Sequence, residues 1–137
     1  MARRAGDQAG ERGVARVGED TWPPARLPDV TPAEFGRLDL RVGRIVDVRD
    51  FPTARRPAWR LAVDVGPGTG VLTTSAQVTN YSRDELLGRL VVVAVNLGVK
   101  QIGPVRSECL VLGAVGEDGL VTLLGVPEGT ELGSRIA

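Results

Sequence analysis

Read by polarity alone, the chain changes character near residue 30. Beyond that point apolar residues recur at every second position in a series of short runs. Leu38, Leu40, Val42, Val46 and Val48 alternate with polar residues, broken only by Arg44, and predict one long strand over 38–48. Gly43 inside that run predicts a bulge or sharp bend there. Trp59, Leu61, Val63 and Val65 alternate with Arg60, Ala62 and Asp64, giving a second strand with Trp59 in phase with the core side. Residues 71–76 are rich in β-branched side chains and predict a third. Residues 89–95 are almost continuously apolar and read as a strand buried on both faces. Strands over 108–115 and 120–124 follow, joined by the hairpin turn Glu117-Asp118-Gly119.

Two short helices are signalled by their ends. Thr31-Pro32-Ala33-Glu34 combines a capping residue, a proline at the first helical position and a glutamate that completes a capping box. The single turn it starts carries Phe35, a hydrophobic anchor for the core or for a subunit interface. Ser82-Arg83-Asp84-Glu85 repeats the capping box, and Gly88 ends that helix. Between the elements, residues 51–57 form a proline-bounded loop, 66–70 a glycine turn and 100–106 a loop. The order is three strands, a helix, then further strands. This predicts an all-β domain with short helices: an OB-fold, a five-stranded Greek-key barrel with a helix between strands 3 and 4. An SH3-like barrel is the chief competitor, and the helix position favours the OB-fold.

Residues 1–30 stand apart. They hold five arginines against five acidic residues, are rich in glycine, and have little to bury. The expectation is a disordered N-terminal tail followed by one folded domain over 31–137. A basic nucleic-acid arm is the alternative for the tail, and the interspersed acids argue against it.

Composition narrows the chemistry. The chain of 137 residues has no histidine and one cysteine. A histidine general base, a Ser-His-Asp triad and a Cys/His zinc site are therefore excluded. Cys109 sits in an apolar strand and reads as a buried, inert thiol in a reducing, cytoplasmic setting. The longest apolar run, residues 90–95, is far below the roughly 20 residues of a spanning helix. The N-terminus carries charges throughout and does not resemble a secretory signal. No cofactor, no membrane insertion, no small-molecule substrate and no catalytic residue are expected.

The formal net charge is +0, yet it is unevenly spread. Residues 31–62 hold seven arginines against four acids, whereas residues 113–137 hold four acids against one arginine. Arg49, Arg55, Arg56 and Arg60 form the densest basic group, with Trp59 among them. Arginines beside an aromatic suit phosphate contacts and base stacking; solvated loop charges around a core tryptophan are the bland alternative. A second constellation runs from Asn96 through Lys100, Gln101 and Arg106 to Ser107 and Glu108. It offers donors to phosphates or to unpaired bases. Thr73, Thr74, Ser75 and Gln77 add hydroxyls and an amide near the end of the third strand.

Several strings together resemble one family. LDLRVG from Leu38, TSAQ from Thr74, VNLG from Val95 and SECLVLG from Ser107 occur in the order seen in the CsaA proteins of the tRNA-binding-domain superfamily. The resemblance covers about Phe35 to the C-terminus. It implies an OB-fold homodimer that acts as a chaperone related to protein export, binds unfolded or preprotein segments, and binds tRNA by shape. By match to the family's motifs, Ser75, Gln77, Asn96, Lys100, Arg106, Ser107 and Glu108 face the ligand. Arg55, Arg56 and Gln101 join them as RNA- or peptide-binding candidates from the basic loop and the second constellation. A chaperone needs an exposed apolar cleft, and Phe51, Pro52, Leu97, Val99, Ile102 and Val105 are its candidates. A protein that is primarily a structure-specific tRNA binder is the alternative reading.

Overall fold

The computed structural model describes residues 21–137. The expected disorder of residues 1–20 lies outside the described residues. Residues 24–30 carry neither helix nor strand and are exposed.

Among the described residues the first regular element is α1 (Pro32–Phe35), where the Thr31 hydroxyl accepts the Glu34 N–H and the Glu34 carboxylate accepts the Thr31 N–H. Strands β1 (Leu40–Asp50), β2 (Trp59–Asp64) and β3 (Val71–Ala76) follow. Helix α2 (Arg83–Leu86) has the same reciprocal cap, between Ser82 and Glu85. Then come β4 (Leu90–Ala94), β5 (Lys100–Ile102), β6 (Val105–Ser107), β7 (Leu110–Val111), β8 (Gly113–Val115) and β9 (Val121–Leu123).

The main sheet is five-stranded and antiparallel, in the order β3-β2-β1-β4-β7. With α2 lying between β3 and β4, this is the OB-like barrel, and the SH3-like alternative falls away. Strand β1 serves both halves: residues 40–44 pair with β4, and residues 44–50 with β2. Closure comes from β3 meeting the chain around β6 and β7. The Glu108 N–H donates to the Thr73 carbonyl at 2.8 Å, and the Thr74 hydroxyl donates to the Cys109 carbonyl at 2.7 Å. Inside, Ile45, Val48, Leu61, Val63, Val65, Leu86, Val91 and Val93 form the core. Leu86 is fully buried and is the one residue of α2 that enters it.

Three expectations need correction, and a fourth is narrowed. The bulge in β1 falls between Ile45 and Asp47, not at Gly43. It shifts the alternation, so Ile45 is buried while Val46 is 44% exposed. Gly43 serves close packing instead, since a Cβ there would lie 2.6 Å from Val63 Cγ1. The strand expected over 108–115 breaks into β7 and β8, which pair with different neighbours, β4 and β9. The loop expected over 100–106 is the β5–β6 hairpin. Finally, of the two places expected for Phe35, the core is excluded, since the side chain is 47% exposed. Trp59 is partly buried against the core, with its indole N–H donating to the Tyr81 carbonyl.

The C-terminal segment lies along β1. Val42 and Leu40 exchange backbone hydrogen bonds with Gly133, Ser134 and Ile136. The edge of β1 that β2 leaves uncovered is thereby paired within the chain.

Candidate functional site

Alternation along β2 sends Leu61 and Val63 inward and Arg60 and Ala62 outward. Pairing then sets a row across the outer face. Arg49 of β1 stands opposite Arg60, and Arg60 stands opposite Ser75 of β3. One step along, Asp47, Ala62 and Thr73 form the next row. Two grooves open here, and each takes part of its lining from the β5–β6 hairpin.

The first groove, of about 370 Å³, is lined by Arg49, Arg60, Thr73, Pro104 and Arg106, with Asp47 at its edge. The second is wider, about 590 Å³, and takes Arg55, Arg56, Ser75 and Gln77, with Phe51 and Ile102 contributing apolar wall. Of the sequence candidates, Arg55, Arg56, Ser75, Gln77 and Arg106 therefore share this face. Arg49 and Arg60 join them. Both were visible as part of the basic group, but only strand register shows that Arg60 lies between Arg49 and Ser75.

The remaining candidates line neither groove. Asn96 is a structural pin: its carbonyl oxygen accepts the Asp39 N–H at 2.8 Å and its amide donates to the Arg37 carbonyl at 2.7 Å. The Gln101 amide donates to the Gly103 carbonyl within the hairpin turn. Lys100 is exposed at the start of β5, opposite Ser107. The Ser107 hydroxyl shares a 3.1 Å hydrogen bond with Thr74. Glu108 anchors the closure, accepting from the Thr73 N–H and hydroxyl at 2.9 and 3.1 Å and from Arg106 at 3.2 Å. The Thr73 N–H, with Arg106 assisting, holds the Glu108 carboxyl below its ordinary range.

The expected apolar cleft is not assembled as such. Phe51 and Val105 are buried at 7% and 4% exposure, while Leu97 and Val99 are more than half exposed. Burial pushes the Cys109 thiol up to about 11, assisted by the neighbouring Glu108 charge, so it is no nucleophile at neutral pH. Among the described residues no three His, Cys, Asp or Glu side chains are placed to hold a metal ion. No described helix is long and apolar enough to cross a membrane.

The model of the "Putative tRNA binding domain" family matches residues 40–135. This chain belongs to the tRNA-binding-domain family. Within it the chain is CsaA-like. It is 44% identical to the CsaA chaperone protein of Picrophilus torridus, covering 80% of this chain and all of that one, with a TM-score of 0.74. The Bacillus anthracis chaperone CsaA is 37% identical over 80% of this chain and 100% of its own, with a TM-score of 0.75. Among curated proteins, the methionine–tRNA ligase of Thermococcus onnurineus is 39% identical over 104 residues, which is 75% of this chain. The chain spans only 14% of that ligase's length. The family is a binding-domain family rather than a catalytic one.

Proposed function

We propose that this CsaA-like protein binds tRNA on the grooved outer face of β2 and β3. The single observation that carries the reading is the arginine set there: Arg49, Arg60 and Arg106 in one groove, Arg55 and Arg56 in the next. Five guanidiniums on one face supply phosphate contacts, and Ser75 and Gln77 supply neutral donors between them. The protein acts as a cytoplasmic homodimer without enzymatic activity, so that two such faces address one folded RNA. A mobility-shift titration with total tRNA at low salt tests this. Binding that weakens steeply with added salt is the expected result, and no shift at any concentration sinks the reading.

Likeness to the CsaA chaperones of Picrophilus torridus and Bacillus anthracis supports a second role. In it the protein is a chaperone related to export that holds unfolded or preprotein segments. Phe51 and Ile102, which wall the second groove, supply apolar contact beside its polar side chains. Suppression of aggregation of an unfolded client tests it, and an excess of protein that leaves the aggregation rate unchanged removes it.

A further inference from the structure

We infer that Arg60 of the first groove and the Ser75 hydroxyl of the second, which stand opposite each other in register, together form a phosphate-anchoring subsite where the two grooves meet. The inference rests on the tRNA-binding reading and names the group that would make that site's tightest phosphate contact. Three arginines line the first groove, and two of them already hold carboxylates. Arg49 donates to Asp47 at 2.7 Å, and Arg106 pairs with Glu108 at 3.2 Å. Arg60 has no carboxylate within ion-pairing distance among the described residues, although it is partly buried. It also stands directly opposite Arg49, and like charges across an antiparallel pair repel. An uncompensated, partly desolvated guanidinium beside a second one is relieved by a bound anion.

The neighbouring donors fit the same ligand. The Thr73 hydroxyl already donates to the Arg106 carbonyl. The Ser75 hydroxyl makes no hydrogen bond among the described residues, and Ser75 pairs with Arg60 in register, so their Cβ atoms are about 5 Å apart. A guanidinium fork plus one hydroxyl matches the oxygens of a phosphodiester. Asp47 and Glu108 keep Arg49 and Arg106 in place as flanking cations rather than primary contacts.

The test is a salt series of tRNA binding with wild-type protein and with Arg60→Gln, Arg60→Lys, Ser75→Ala and Arg37→Gln, each checked for folding by circular dichroism. Arg37 is exposed and lies outside both grooves. Arg60→Gln is expected to weaken binding about tenfold or more and to reduce the log K against log salt slope by roughly 0.7–0.9. Arg60→Lys keeps the slope but loses affinity, because the fork is gone. Ser75→Ala weakens binding with the slope unchanged, and Arg37→Gln changes neither. Wild-type binding together with an unaltered Arg60→Gln variant overturns the anchor and leaves the tRNA reading standing. Failure of the wild type to bind overturns both. Should Arg60→Gln fail to fold, full wild-type affinity in Arg60→Lys overturns the fork. If Arg60→Gln loses only client protection and not tRNA binding, the anion is a peptide carboxylate and the phosphate assignment is wrong.

Discussion

Glu108 and Thr74 carry the closure of the barrel through single polar atoms. Thr74 is buried, and its hydroxyl donates to the Cys109 carbonyl while sharing a bond with Ser107. Thr74→Val leaves that carbonyl short of a donor in a dry site. We expect it to lower stability by about 1–3 kcal/mol, read from the urea midpoint at constant m-value. Glu108 sets a pH dependence whose sign follows from its lowered value. A carboxyl held down in the fold stabilises it above the unfolded value of about 4.3, and that contribution is lost as pH falls through the folded value. Glu34, Asp39 and Glu85 are lowered too, by the Thr31 backbone, by Arg41 and by the Ser82 backbone respectively. The urea midpoint should therefore drop as the pH is taken from about 5 towards 3. Glu108→Gln should flatten part of that fall, and an unchanged profile would contradict the assigned role.

At the scale of elements, the caps were legible because they are local. Thr31 and Ser82 each meet a glutamate three residues on, and no distant contact is needed to read that. Ser82→Ala is expected to cost about 1 kcal/mol, since the cap holds the short turn that delivers Leu86 to the core. The bulge was not legible, because it is a property of two strands in register rather than of one. Period-two patterning alone puts Val46 on the same side as Val42, and the register shift turns it outward. Glycines show the same limit. A Cβ at Gly113 would clash with Val121 Cγ1 and lie 2.8 Å from the Thr122 carbonyl. Gly113→Ala should destabilise by about 1–3 kcal/mol and loosen the β8–β9 hairpin, measurable by amide exchange. Exchange rates in β8 and β9 equal to wild type would rule this out.

For the whole molecule, part of the exposed apolar surface lies on α1 and on the connections that follow α1 and β4. Phe35, Leu38, Leu97 and Val99 are each 41–55% exposed. Asn96 brings the α1–β1 connection against the end of β4, so Leu38 and Leu97 flank one joint. A homodimer that covers this surface is the proposed assembly. Sedimentation equilibrium should then give twice the chain mass of 14.5 kDa, and Phe35→Asp should shift it towards the monomer. A monomeric wild type at micromolar concentration would remove the dimer from the proposal. The face bearing the arginines is built from different elements, so the two tests read different surfaces.

The sequence by itself determined the barrel class, the helix between strands 3 and 4, both caps, the buried fourth strand and the exclusion of histidine chemistry. These rest on periodicity, local caps and composition, which need no long-range contact. It also named Arg55, Arg56, Ser75, Gln77 and Arg106 as candidates. Only the tertiary structure decided which candidates stand together. Asn96 and Glu108 are polar groups whose hydrogen bonds go to backbone 57 and 35 residues away, so they serve the fold. Arg60 became prominent because register placed it between Arg49 and Ser75 without a counter-charge. Pairing across strands is a long-range property, and a polar residue's partner cannot be read from its neighbours along the chain.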